Sequence, residues 1–196
     1  MNRYASILNG GSLAGISAFI YFLILYAGIG TSWQVMDLGN PFLNELMTLY
    51  VHPFGAIKML GVCIPIYFMY RSVKRFKAIE CEGFIEFGRA FRIGVMFTFI
   101  YASLSAMLTF LFGTSIDASF VTYANEIDVR LFEMARNMGE EMPLGAVDEQ
   151  IEALEQRDLA HFAASELWSK SISGFIIALI VAAIIKQKPP TFADDE

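Results

Sequence analysis

The segment IGVMFTFIYASLSAMLTFLFGTSI, residues 93–116, contains no charged side chain and lies between Arg92 and Asp117. A helix needs about 20 apolar residues to cross the hydrocarbon core of a bilayer. A charge within that core costs free energy, so long uncharged runs are typical of membrane-spanning helices. Residues 93–114 therefore predict a transmembrane helix, and they decide the class of fold.

Three further segments have the length and composition of membrane spans, at about residues 11–30, 54–70 and 167–185. The last two each contain one lysine near an end, Lys58 and Lys170. A lysine so placed can lay its aliphatic stem along the span and keep its ammonium group at the headgroups. Together with the first segment, these spans predict an all-α, polytopic integral membrane protein with four transmembrane helices.

The composition agrees with this class, because 56% of the 196 residues are hydrophobic and only 17% are charged. A water-soluble domain has about a quarter of its residues charged, so much of the predicted surface faces hydrocarbon. The expected primary partner is the lipid bilayer. The basic residues lie beside predicted spans and not on a separate face, which argues against nucleic acid as a partner.

Lysine and arginine residues cluster at one end of each predicted span. Arg3 precedes the first span, and Lys186 and Lys188 follow the fourth. The connection between spans two and three contains Arg71, Lys74, Arg75, Lys77, Arg89 and Arg92. Basic residues near span ends remain on the cytoplasmic side of the membrane. The pattern predicts a multi-pass protein with a cytoplasmic N-terminus and a cytoplasmic C-terminus.

Residues 115–166, the acidic segment, are the one long polar stretch, and acidic residues far outnumber basic ones in it. Apolar residues recur at helical spacing on either side of residues 139–145. The two stripes are Val121, Ile127, Leu131, Met134 and Met138, and then Val147, Ile151, Leu154 and Phe162. We expect an extracytoplasmic helical hairpin between spans three and four. Its stripes could pair with each other, extend the neighbouring spans, bind a protein partner or form a homo-oligomer.

An amphipathic pattern precedes the third span. Phe84, Phe87 and Phe91 follow i, i+3, i+7 spacing, whereas Arg89 and Arg92 point elsewhere on a helix. Aromatic and basic residues in this arrangement are typical of a segment that rests on the inner leaflet, where the cations meet anionic headgroups. We expect these five residues to form an inner-leaflet interface.

Small residues recur every four positions in three of the predicted spans. They are Gly11 and Gly15 in the first, Ala102 and Ala106 in the third, and Gly174, Ala178 and Ala182 in the fourth. Small side chains at this spacing let helix backbones approach closely. They predict helix packing within a four-helix bundle, with dimerisation as the alternative.

Few residues suggest chemistry. The two histidines, His52 and His161, have no partner at metal-ligand spacing, and the sequence has no nucleophile or phosphate-loop motif. We therefore predict no metal site, no cofactor and no catalytic residues. Two minor candidates for function remain: Lys58, an ionisable residue within a span, and His161, which could join Asp158 and Glu166 on one helix.

Three short motifs occur in an order that resembles a known family. They are GFIEFGRAF followed by Ile93 and Gly94 (residues 83–94), DEQIEAL (148–154) and IVAAIIK (180–186). In this order the chain resembles the bacterial four-span inner-membrane family known as domain of unknown function 4199. The resemblance implies a four-span fold in the bacterial inner membrane. It implies no established activity and no catalytic residues.

Three functional hypotheses follow from the sequence. The first is a non-enzymatic membrane protein whose acidic hairpin docks a partner or assembles the protein itself. The second is a small transporter or channel subunit that uses Lys58. The third is a lipid-modifying enzyme with a site at the inner interface near Glu80, Glu82, Glu86 and Arg89.

Overall fold

The computed structural model describes residues 4–29, 60–122, 124–126, 128–129, 144–155 and 157–187. Within these residues the fold is helical, and the only strand-like pairing is an isolated antiparallel bridge between Ile85 and Gln187. The helices are α1 (Ala5–Ile29), α2 (Cys63–Glu80), α3 (Phe87–Ser115), α4 (Leu144–Glu155) and α5 (Leu159–Ile185). Residues 120–122, 124–126 and 128–129 are also helical.

Three of the described helices are long and apolar enough to cross a membrane: Ala5–Ile24 within α1, all of α3 and all of α5. The prediction of a helical protein with helices that could cross a membrane is confirmed, and the count of four spans stays a prediction. Most of the predicted span at residues 54–70 lies outside the described residues. Its visible part begins at Leu60 with a short 3₁₀ turn and continues as α2.

Two predicted boundaries differ from the structure. The third span continues towards its N-terminus as far as Phe87, because the amphipathic stretch before it is part of the same helix, α3. The fourth begins at Leu159, eight residues before the predicted start at residue 167. Asp158 explains this earlier start, since its carboxylate accepts a hydrogen bond from the backbone N–H of His161 and so caps the first turn of α5.

The described chain divides into two compact units. The first unit comprises Met1–Ala18, Val62–Ser105 and Glu166–Glu196. Its core contains the fully buried side chains of Phe97, Met69 and other apolar residues from α1, α2, α3 and α5.

Helices in the first unit alternate in direction. The ring centroids of Tyr4 and Phe76 lie 6.0 Å apart, so the N-terminal end of α1 contacts the C-terminal half of α2. On α3 and α5, Gly94 lies against Ala178, whereas Thr98, further along α3, lies against Gly174, which comes earlier in α5. Helices α3 and α5 are therefore antiparallel.

The second unit comprises Phe19–Gly61 and Ala106–Ser165, and its described core is aromatic. Phe112 contacts Phe22 and Phe120 edge-to-face, with ring centroids 5.5 Å apart in both pairs. Phe120 contacts Phe162 at 5.3 Å, again edge-to-face. Such pairs add about 0.5–1.5 kcal/mol each beyond their buried area, and they tie α1, α3 and α5 together within this unit.

The acidic segment departs from its predicted pattern at two points. Helix α4 begins at Leu144, within the stretch 139–145 that was expected to break the helices. The second predicted stripe also spans two helices, because α4 ends at Glu155 and Phe162 belongs to α5. Residues 130–143 of the predicted hairpin lie outside the described residues, so its turn and most of its first stripe are not tested.

Candidate functional site

Within the described residues, the second unit contains one arginine, Arg157, and hydrogen bonds hold its side chain in place. Arg157 Nη2 donates to Asp128 Oδ2 at 2.6 Å, and its Nε donates to Asn125 Oδ1 at 2.8 Å. Asn125 Nδ2 donates in return to the backbone carbonyl of Arg157 at 2.9 Å. The guanidinium also lies 4.9 Å from the ring centroid of Phe162. This cation therefore joins the helical residues after Phe120 to the start of α5.

Exposed carboxylates dominate the rest of the described acidic segment. On α4, Asp148, Glu149 and Glu152 are exposed and follow i, i+1, i+4 spacing, so they share one side of the helix. Glu126 is exposed as well. These exposed side chains are acidic groups at the surface of the described residues, and their chemistry suits a cationic ligand.

Hydrogen bonds fix two further carboxylates of this segment. Asp117 Oδ1 accepts from the Ser119 hydroxyl at 2.6 Å and the Ser119 backbone N–H at 2.9 Å, and its other oxygen accepts from Tyr26. The Ser119 hydroxyl, followed by the Tyr26 hydroxyl, holds the pKa of Asp117 below its ordinary value. The backbone N–H of His161 lowers the pKa of Asp158 in the same way.

An ion pair lies within α5 and contacts α3. Lys170 Nζ donates to the Glu166 carboxylate one turn earlier and to Ser105 Oγ at 2.6 Å. The side chains of Lys170 and Glu166 are 21% and 11% exposed, and Ser105 is 1% exposed. Glutamate four residues before lysine is the favourable order on a helix. The pair is inside a helix that is long and apolar enough to cross a membrane, and unpaired charge is costly within a bilayer.

Sequence reasoning missed this cluster, although part of its signal was present. The spacing of Glu166 and Lys170 was readable, but Lys170 was expected to extend to the headgroups. The partner on α3, Ser105, is distant in sequence and has no charge, so no local pattern identifies it. The cluster fixes the register of α3 against α5.

Of the two minor candidates, Lys58 lies outside the described residues. The His161 side chain is 79% exposed, and its Nδ1 lies 2.8 Å from Asp158 Oδ1. The structure therefore places His161 at the cap of α5 with Asp158, whereas Glu166 pairs with Lys170. Within the described residues, no group of three or more histidine, cysteine, aspartate or glutamate side chains could hold a metal ion.

The five residues of the expected inner-leaflet interface have different surroundings. Phe87 is exposed and stacks on Phe91 with ring centroids 6.2 Å apart, and Phe91 turns edge-on towards Phe175 of α5 at 5.0 Å. Arg89 lies 5.6 Å above the ring of Phe76. Of the remaining two, Arg92 is exposed and Phe84 is half-buried in the turn before α3.

The small residues expected to pack helices lie at close approaches in the first unit. Gly11 faces Ile100, Gly15 faces Leu104, Gly174 faces Thr98 and Ala178 faces Gly94. Ala102 and Ala182 are fully buried, and Ala106, which belongs to the second unit, is buried too. Cβ atoms built at Gly11 and Gly174 would lie 2.9 Å and 2.5 Å from the facing side chains, so larger residues would push these helices apart.

Comparison with known proteins gives a family but no activity. No curated protein and no solved structure matches the chain. One family's sequence model matches residues 9–187, which is nearly the whole chain, and its description is "Protein of unknown function (DUF4199)". The match agrees with the resemblance carried by the motifs at residues 83–94, 148–154 and 180–186. The chain belongs to the DUF4199 family of proteins of unknown function.

Proposed function

We propose that this protein is a non-enzymatic docking protein of the bacterial inner membrane, with four spans and both termini in the cytoplasm. Its acidic segment would lie outside the cytoplasm and bind a basic segment of a partner protein. The observation that carries the proposal is the separation of charge along the chain.

The two units differ in the sign of their charge. The described part of the first unit has the basic residues Arg71, Lys74, Arg75, Lys77, Arg89, Arg92, Lys170 and Lys186, and the acidic residues Glu80, Glu82, Glu86 and Glu166. The described part of the second has the acidic residues Asp117, Glu126, Asp128, Asp148, Glu149, Glu152, Glu155 and Asp158, and Arg157 as its one lysine or arginine. Basic residues beside spans stay cytoplasmic, which supports an outer position for the acidic segment.

The proposed count of four spans has its own support. Helix α2 runs antiparallel to α1 in the first unit, because Tyr4 contacts Phe76 while Gly10, further along α1, lies against Ser72, which comes earlier in α2. A chain that leaves the cytoplasm along α1 therefore returns along α2. Residues 54–70 would provide that return.

The docking proposal is tested on the full chain in lipid nanodiscs with a cationic helical peptide as the probe. We expect binding that weakens as salt rises, because the attraction between exposed charges is screened. The variant D148N/E149Q/E152Q should lower the affinity about tenfold, whereas the matched variant E80Q/E82Q/E86Q should leave it unchanged. Equal binding by both variants would remove the basis for docking at this surface. Unchanged peptide binding with an altered oligomeric state would assign the carboxylates to self-assembly instead.

Transport is the second candidate, and the ion pair of Lys170 and Glu166 on Ser105 favours it. Ionisable residues inside spans often serve ion or proton pathways. If this pair does so, Lys170→Met in reconstituted vesicles should abolish a proton or cation flux that the unaltered protein supports. Equal flux for both proteins would rule the pair out as a pathway.

A further inference from the structure

One face of α2 combines tyrosines with cations. The buried residues of this helix are Pro65, Met69, Ser72, Val73 and Phe76. Tyr67, Tyr70, Arg71, Lys74 and Arg75 are exposed, and at 3.6 residues per turn they lie on the opposite side. We name these five residues the α2 cationic face.

Within this face, cations lie one turn beyond tyrosines. Arg71 Nη1 donates to Tyr67 Oη at 3.3 Å, and Lys74 Nζ lies 5.8 Å from the ring centroid of Tyr70. Tyrosine is enriched where hydrocarbon meets the headgroups, because its ring is apolar and its hydroxyl is polar. The three cations therefore follow the tyrosines at the depth where lipid phosphates would lie.

The α2 cationic face has no acidic residue near it in the sequence. No acidic residue occurs between Tyr67 and Ile79. Lys77 is directed elsewhere, since its Nζ donates to the carbonyl of Ile185 at 3.2 Å and to Gln187 Oε1 at 2.7 Å at the end of α5. Cations suit the last carbonyls of a helix, so Lys77 has a structural role that Arg71, Lys74 and Arg75 do not share.

The start of α3 adds positive charge beside α2. Arg89 lies 5.6 Å from the ring centroid of Phe76, on the buried side of α2, and Arg92 is exposed one turn later. Phe87, the first residue of α3, is also exposed. Exposed aromatic and basic side chains thus occur together on neighbouring helices of the first unit.

We propose that the α2 cationic face binds the headgroups of anionic phospholipids. Guanidinium groups form paired hydrogen bonds with phosphate oxygens, and Lys74 adds a point charge. The exposed tyrosines would contact the first part of the acyl chains, which a water-soluble phosphate lacks. This inference concerns a different surface from the acidic segment and holds whether or not that segment docks a partner.

The experiment compares two lipids on the purified full chain in detergent. Phosphatidylglycerol and phosphatidylcholine with identical acyl chains are mixed in equal amounts, and the bound lipid is counted by native mass spectrometry. Each cation near a membrane surface contributes about 1 kcal/mol to the attraction of anionic lipid, which is about fivefold in affinity. We expect phosphatidylglycerol to be retained at least about tenfold over phosphatidylcholine, and we expect added salt to weaken this preference.

Two triple variants provide the matched comparison. R71Q/K74Q/R75Q should remove the preference for phosphatidylglycerol, whereas R71K/K74R/R75K, which keeps every charge, should retain most of it. A preference that survives R71Q/K74Q/R75Q overturns the proposal. Displacement of bound phosphatidylglycerol by glycerol phosphate at equal concentration also overturns it, because a headgroup without acyl chains would then be enough for binding. Should R71Q/K74Q/R75Q fail to fold, Lys74→Gln alone must lower the preference about fivefold, and an unchanged preference overturns the proposal equally.

Discussion

At the scale of single residues, charge inside the first unit is stabilised by pairing. Lys170 contacts both Glu166 and Ser105, and the two charged side chains are largely removed from solvent. A buried ion pair offers little net stability, because the loss of solvation offsets the attraction. Removing one partner is different, since it leaves the other charge buried and unpaired.

Lys170→Met should therefore lower the free energy of unfolding by about 3 kcal/mol, and Glu166→Leu by a similar amount. The double variant E166L/K170M should recover most of this loss and lie within about 1 kcal/mol of the unaltered protein. Denaturation of the purified protein in mixed micelles measures all three. Additive losses in the double variant would show that the two side chains do not act as a pair.

Asp117 provides a residue-scale prediction about pH. Its folded-state pKa lies below its ordinary value because the Ser119 and Tyr26 hydroxyls donate to the carboxylate. A carboxylate with a depressed pKa stabilises the folded state at pH values above its unfolded-state pKa, which is about 3.9 for aspartate. This stabilisation is lost as the pH falls through the folded-state pKa. Ser119→Ala should raise the pKa of Asp117 towards its ordinary range, as measured by carboxyl NMR.

The same variant should also reduce the acid-induced change in thermal stability between about pH 5 and the folded-state pKa. Ser115→Ala is the control, because the hydroxyl that it removes contacts Thr114. Equal pKa values for Asp117 in the two variants would contradict this assignment.

At the scale of helices, close approach decides how α3 and α5 pack. A Cβ atom built at Gly94 would lie 2.7 Å from Ala178 Cβ, which is attached rigidly to its backbone, whereas one at Gly88 would meet nothing within 4 Å. Both glycines belong to the same helix, α3. They therefore separate the effect of packing from the effect of helix propensity.

Gly94→Ala should lower the free energy of unfolding by about 1–2 kcal/mol, because overpacking exceeds the gain in helix propensity. Gly88→Ala should cause no loss. Adding Ala178→Gly to Gly94→Ala should restore part of the stability, since it removes the facing methyl group. If the two single variants are equally stable in the same denaturation assay, the helices are not in close contact here.

Element by element, the sequence predicts what depends on composition and misses what depends on distant partners. The uncharged run at residues 93–116 predicts the span within α3, because its signal is local. The earlier start of α5 depends on Asp158 as a cap, and a single aspartate in an acidic stretch does not stand out. The contact of Lys170 with Ser105 depends on how two helices pack, which a one-dimensional pattern does not contain.

At the scale of the whole molecule, hydropathy and charge together indicate a membrane protein. Many large apolar side chains on α1, α3 and α5 are exposed, such as Ile24, Phe99 and Ile184. Exposed apolar surface of this extent is unfavourable in water but suits hydrocarbon. The topology proposed above puts the basic residues beside the spans in the cytoplasm and the acidic segment outside it.

The most direct test of this claim is the accessibility of two engineered cysteines to a membrane-impermeant maleimide in spheroplasts. Cys63 and Cys81, which are both free thiols, are first replaced by serine. Glu149→Cys should then be labelled from outside, whereas Arg75→Cys should be labelled only after the membrane is permeabilised. Labelling of both cysteines from the same side of the intact membrane would contradict the account.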